Sequence, residues 1–154
     1  MTSETDDRVA LQDLLATYAD VINRRAWDEL VDLFVPECEI VIDTRRGEPV
    51  TMVGGAALGD FVAGAIERFD FFEFVILSAR VWMDGSDVAR GRLYMCEIRH
   101  DRVARHRSQA FGVYHDEFRR VGDRWRFGAR RYHSLARTPA DGGDGLDVFD
   151  FPDT

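Results

Sequence analysis

The chain has 154 residues, 45% apolar and 31% charged. That is one domain with enough apolar material for its own core, and it excludes a disordered tail, a collagen-like repeat and a disulfide scaffold. No apolar run approaches the ~18 residues of a spanning helix, and the acidic start MTSETDDRVA lacks the regions of a secretion signal; a cytoplasmic protein with no membrane partner is expected. Cys38 and Cys96 read as buried free thiols.

Charge is unevenly spread. The net charge of −8 comprises 18 acids against 7 bases in residues 1–89, 5 against 13 in 90–140, and 5 acids with no base in 141–154. All 20 basic residues are arginine. An acidic balance argues against nucleic-acid binding, which rests on accumulated positive charge. The arginines are expected on the outward face of strands, where Arg90, Arg92, Arg124, Arg126 and Arg130 need acidic partners that a second copy could supply. A homo-oligomer, most simply a dimer, is the expectation.

In chain order, Val9, Leu11, Leu14, Leu15, Tyr18 and Ile22 form one apolar helical stripe, capped by Thr5. Trp27, Leu30, Val31 and Phe34 predict a second, short helix that Pro36 stops. Residues 38–43 and 50–53 predict two short strands around a turn at 44–49. Gly54 and Gly55 open a third helix carrying Leu58, Phe61, Val62, Ala65, Ile66 and Phe69. Four long strands follow, within 71–83, 88–100, 108–120 and 124–135, with turns at Asp84–Asp87 and Val121–Asp123. Three helices ahead of an antiparallel meander predict an α+β domain, one sheet with the helices gathered on one face. If that sheet curves around the helices, the space between is a cone open at one end, the default place for a ligand.

Tyr18-Ala19-Asp20 with Asn23, Trp27 and Leu33-Phe34, and Gly112–Phe118 followed by Gly122–Phe127, resemble the opening and closing signatures of the nuclear transport factor 2-like superfamily. Within it the chain is most similar to the SnoaL-like branch that includes scytalone dehydratase. The resemblance covers about residues 9–135 and implies a single domain over 1–154 with a cone-shaped α+β barrel.

Strand parity puts Tyr114, Asp116 and Phe118 on one face, and the resemblance turns that face toward the cleft. There Asp116 would be desolvated and suited to proton transfer; its alternative is a structural ion pair with a nearby arginine. Tyr18 resembles the isomerases' oxyanion donor; its alternative is a core tyrosine with a satisfied hydroxyl. The resemblance implies that Tyr18 and Tyr114 polarise a carbonyl while Asp116 moves a proton or donates one. The dehydratases' aspartate falls on Asn23, their two histidines on Phe74 and Arg99, and the isomerases' base near Ile42, so neither catalytic set is reproduced. Asn23 and Arg99 remain to orient substrate or water. Glu97 shares the Arg99 face. Trp27, Phe72, Phe74 and Phe118 supply an apolar wall, and His133, on the Trp125 and Phe127 face of the last strand, completes the candidate substrate contacts.

No histidine pair has metal-ligand spacing and no glycine-rich phosphate loop follows a strand, so neither metal nor cofactor is expected. The function these readings favour is a small lyase or isomerase, of dehydratase or cyclase type, acting on a hydrophobic carbonyl compound. The alternatives are a non-catalytic ligand-binding or oligomerisation domain, and a small subunit of a larger oxygenase. Residues 138–154 hold a Gly/Asp hinge and then Leu146, Val148, Phe149 and Phe151. They are expected to form a lid over the cleft or, failing that, to pack outside the sheet.

Overall fold

The computed structural model describes residues 2–153; Met1 and Thr154, the ends of the expected 1–154 domain, lie outside the described residues. Helix α1 (Glu4–Arg24) starts earlier than Thr5, because Ser3 makes the better cap. The Ser3 hydroxyl accepts the Asp6 N–H at 3.1 Å, and the Asp6 carboxylate accepts the Ser3 N–H at 3.0 Å, a reciprocal capping box. The helix buries Leu11, Leu14, Leu15, Tyr18, Val21 and Ile22.

The second helix is a 3-10 turn, Trp27–Leu33, and strand β1 (Phe34–Asp43) begins at once. Pro36 therefore lies in a strand rather than ending a helix. The ladder of β1 with its neighbour is interrupted between Phe34 and Glu39, which spares proline a ladder N–H it cannot donate. β2 (Val50–Val53) and helix α2 (Gly55–Ile66) follow. At Gly55 a Cβ would overlap the Leu30 carbonyl, so only glycine lets α2 close onto the 3-10 helix.

Strands β3 (Phe69–Met83), β4 (Val88–Asp101), β5 (Arg107–Val121) and β6 (Arg124–Arg137) form the expected meander. The sheet order is β2-β1-β6-β5-β4-β3, with the short β7 (Asp147–Val148) added to β6. Two expectations are corrected here. The sheet is mixed, since β1 runs parallel to β6 while every other pair is antiparallel. It is also open along β2 and β3, so the cone is a curved, unclosed sheet of seven strands with the helices on its concave side, the cone-shaped α+β fold expected from the sequence.

β6 carries two register shifts against β5, at Gly128 and Leu135. Each adds one unpaired residue and reverses which side chains face the helices. Trp125 and Phe127 point inward before the first bulge. Between the bulges Arg130, Tyr132 and Ser134 do so and are buried, while Ala129, Arg131 and His133 turn outward. Arg130, expected on the outer face, is thus inside.

Two polar ties fasten helix α1 to the sheet. Asp7, buried in the first turn, accepts bonds from both Arg120 nitrogens at 2.9 and 2.8 Å and from Trp125 Nε1 at 3.1 Å. At the other end the Asn23 amide donates to the Phe74 carbonyl at 3.0 Å and accepts the Phe74 N–H at 2.7 Å. On the outer face Arg90 finds Asp84 and Glu117, and Arg92 lies over the Trp82 ring. Arg90 thus has acidic partners within the same chain, whereas Arg126 Nε is buried without one.

The C-terminal segment packs outside the sheet, the alternative expected for it. Arg46 pairs with Asp147, the Phe149 N–H bonds the Leu135 carbonyl, and Phe151 lies against Tyr94 and His115 on the outer face. Two features of the earlier chain direct it there: the Arg45-Arg46 turn and the free edge of β6 beyond the end of β1. Among the described residues no helix is long and apolar enough to cross a membrane.

Asn23→Ala removes both bonds to the Phe74 backbone and leaves that peptide without its helix partner. A loss of about 1–3 kcal/mol in urea-unfolding free energy is expected, with the cooperativity of the transition unchanged.

Candidate functional site

A cavity of about 200 Å³ lies between the helices and the concave face of the sheet. Its walls are apolar: Ile22 from α1, Leu58, Phe61, Val62, Ala65 and Ile66 from α2, and Ile40, Ile42, Phe69, Phe72 and Phe74 from the strands. The stripe at three- and four-residue spacing on α2 is what lines it, as amphipathic packing requires.

The deep end is built on Arg130. Its side chain is 1% exposed, and its Nε donates to Asp116 Oδ1 at 3.0 Å. Its guanidinium lies 3.8 Å from the Tyr114 ring centre, 4.1 Å from Tyr18 and 4.5 Å from Phe127. Desolvated cation–π contacts contribute up to ~2 kcal/mol each. Both terminal nitrogens of Arg130 and Asp116 Oδ2 have no partner. Burial works against the Arg130 charge, but Asp116 and the two phenols outweigh it and hold the cation. Burial also pushes the Asp116 carboxyl up to about 6, against the pull of Arg130. The Tyr18 and Tyr114 hydroxyls are raised by burial as well, with Arg130 drawing both back down.

A second polar group lies nearer the mouth. In register across the sheet, Glu97 on β4 pairs with Ala110 on β5, and Ala110 with Arg137 on β6. Glu97 and Arg137 both line the cavity, and Ala110 between them is fully buried. Arg99 lies 4.0 Å from Glu97 and has a buried Nε with no partner. Arg137 donates to Ser134 Oγ at 3.0 Å, and that hydroxyl also bonds the Tyr132 hydroxyl at 3.1 Å. Burial pushes the Glu97 carboxyl up, although Arg99 and Arg137 pull it down. Burial pushes Arg99 down, and the nearby Arg137 charge adds to that while Glu97 opposes it.

Of the expected site residues, Tyr18, Tyr114, Phe72, Phe74, Glu97 and Arg99 line this cavity together. Asp116 sits behind Arg130 as its ion-pair partner, the alternative reading of that residue. Four others lie elsewhere. Asn23 bonds the Phe74 backbone through both amide atoms and does not line the cavity. Trp27 packs against Gly59 of α2, outside the cavity. Phe118 is fully buried against Phe127 and Gly91 in the core. His133 faces outward because the Gly128 bulge reverses its parity. Sequence reasoning missed Arg130, Tyr132 and Arg137; the signal for Arg130 and Tyr132 was a glycine in mid-strand, Gly128, where a bulge is the physical expectation.

Replacing Arg130 by Met leaves Asp116 alone in the core, and a loss of about 3–5 kcal/mol is expected in denaturant unfolding. A carbon-detected NMR titration is expected to place Asp116 near pH 6. Because that folded value lies above the ordinary carboxylate value of 3.8, the group's extra stability is present below the ordinary value and lost as pH rises through about 6. The stability of the wild type relative to Asp116→Asn should therefore fall between pH 4 and 7.

Comparisons fit this geometry. No curated protein matches the sequence. A candidate scytalone dehydratase from Novosphingobium aromaticivorans superposes with a TM-score of 0.74 at 16% identity, over 96% of this chain and 91% of that one. A type 2 hexachlorocyclohexane dehydrochlorinase gives 0.78 at 18%, over 96% and 95%. A candidate aromatic ring hydroxylase from Novosphingobium aromaticivorans gives 0.74 at 19%, over 96% of both. At these identities the likeness speaks for the fold. The SnoaL-like domain family matches residues 3–131, nearly the whole cone, and the chain belongs to that family.

Proposed function

We propose that the protein is a cofactor-independent lyase or isomerase, of dehydratase or cyclase type, acting on a small hydrophobic carbonyl compound bound in the cavity. The observation that carries this reading is one protonatable carboxyl, Glu97, sharing an apolar cavity with the paired phenols Tyr18 and Tyr114. Fold relatives described as dehydratase and dehydrochlorinase support an elimination-type reaction.

Glu97, whose raised affinity for a proton makes it a stronger base than an exposed carboxylate, removes a proton from the carbon next to the carbonyl. The C–H electron pair becomes a C=C bond, and the carbonyl oxygen becomes an enolate oxygen. Tyr18 and Tyr114 donate to that oxygen, and the Arg130 cation against their rings stabilises the developing charge. The proton on Glu97 then has two outlets. Delivery to another carbon of the enolate is isomerisation; delivery to a β-hydroxyl, which leaves as water while the C=O re-forms, is dehydration. Arg130 and Asp116 act as positioning residues behind the two tyrosines.

Incubation with a panel of aryl ketones in deuterated water tests the first step. Enzyme-dependent deuterium uptake at the α-carbon is expected, and Glu97→Gln should lower it by about 10²–10⁴-fold, the usual worth of a general base. Uptake that Glu97→Gln leaves unchanged would falsify the assignment of the base. Binding without uptake would favour the ligand-binding alternative.

A further inference from the structure

We propose that the ligand of this cavity is an acid, a small hydrophobic keto-carboxylate whose carboxylate is held at the mouth by Arg99 and Arg137. The inference deepens the reading given above and rests on it for the place of the carbonyl.

Charge balance points to an anion. Arg68, Arg99, Arg130 and Arg137 line the cavity, whereas among the described residues Glu97 is the single acidic side chain lining it. Arg130 is neutralised from behind by Asp116, and Arg68, at the rim, lies 3.6 Å from Asp101. Arg99 and Arg137 remain. Asp147, opposite Arg137 on β7, is taken by Arg46 at 2.6 Å, and Arg99 meets Glu97 only at 4.0 Å. Two guanidiniums facing one carboxylate leave an uncompensated positive charge in an apolar-walled space, and such a charge is costly without an anion.

Donor geometry agrees. The Arg99 Nε is buried and has no partner. Arg137 is steadied through Ser134 and Tyr132, so one terminal nitrogen is committed and the rest of its planar fork is free to take a carboxylate. Burial and its like-charged neighbours both weaken the hold of Arg99 on its proton, a penalty that a bound anion relieves.

The order of groups along the cavity then sets the order of groups in the ligand. Arg99 and Arg137 stand at the mouth, Glu97 next to them, and Tyr18 and Tyr114 deeper beside Arg130. A ligand that satisfies all three carries a carboxylate, then an acidic CH₂, then a carbonyl, with an apolar remainder among the α2 and β3 side chains. A cavity of about 200 Å³ is smaller than the ~300–1,000 Å³ of drug-sized sites, which selects a compound of about one or two rings.

The matched probes are 3-benzoylpropanoate and its methyl ester, which share the ketone and the ring and differ in the charge. By titration calorimetry in low salt, the acid is expected to bind at least tenfold more tightly than the ester. Arg137→Gln and Arg99→Gln, checked for native circular dichroism, should each remove most of that preference and leave ester binding within about threefold. Raising the salt should weaken the acid and not the ester. Equal affinity for acid and ester, a preference that survives in both variants, or no binding of either at millimolar concentration would each overturn the proposal. The catalytic reading fails separately: an acid preference without deuterium uptake leaves the carboxylate site standing and removes only the chemistry.

Discussion

The interaction on which the rest of the molecule depends is a buried cation. Arg130 lies in the interior with one carboxylate and three aromatic rings for company. A guanidinium tolerates such a place better than an ammonium, because its charge is spread over a plane that rings can face. The pair with Asp116 links adjacent positions on β5 and β6, and the rings tie α1, β5 and β6 to the same centre. Remove the cation and Tyr18 and Tyr114 lose the charge against their rings; remove the rings and the cation has no reason to stay. Core and candidate site are therefore one construction, and loss of either disturbs the other.

That construction hangs on a single inserted residue. Were β6 regular from Trp125 onward, Ala129, Arg131 and His133 would face the helices, and Arg130 would lie in solvent. The Gly128 bulge shifts the alternation by one, and the second shift at Leu135 returns Arg137 to the cavity side. A Cβ at Gly128 would press on the Arg119 side chain, which crosses the outer face there. Glycine fits because the outer face is crowded at that point, and the bulge follows from the spare residue.

The elements were legible for a plain reason: helix stripes and strand alternation are local, and strand turns such as Asp84–Asp87 are marked by their own residues. What failed was non-local. Pro36 read as a helix stop because nothing in its neighbourhood reveals a gap in the ladder with β6. The parallel pairing of β1 with β6 joins segments some ninety residues apart and leaves no local trace. Asn23 read as a site residue from its place in a motif, but its amide is committed to the Phe74 backbone across the helix–sheet interface, a contact that appears only on folding. Strict alternation misplaced Arg130 and His133 together, since one bulge moves both.

The packing beside the cavity, by contrast, follows the inward side chains of one strand. The inward residues of β5 run Ser108, Ala110, Gly112, Tyr114, Asp116, Phe118. The first half is small and the second half is large or charged. Where the side chains are large the sheet packs solidly on α1, and Phe118 and Tyr114 join the core. The small residues do not themselves line the cavity, whereas Tyr114 does. Gly112 is the sharpest case: a Cβ there would overlap the Tyr132 ring, so glycine alone lets that ring lie flat across β5 and carry its hydroxyl to Ser134. Ser134 in turn holds Arg137 beside the mouth. Glu97, Arg99 and Arg137 thus meet at one end of the cavity, Arg137 held there by a ring and a hydroxyl that depend on a missing Cβ on the neighbouring strand.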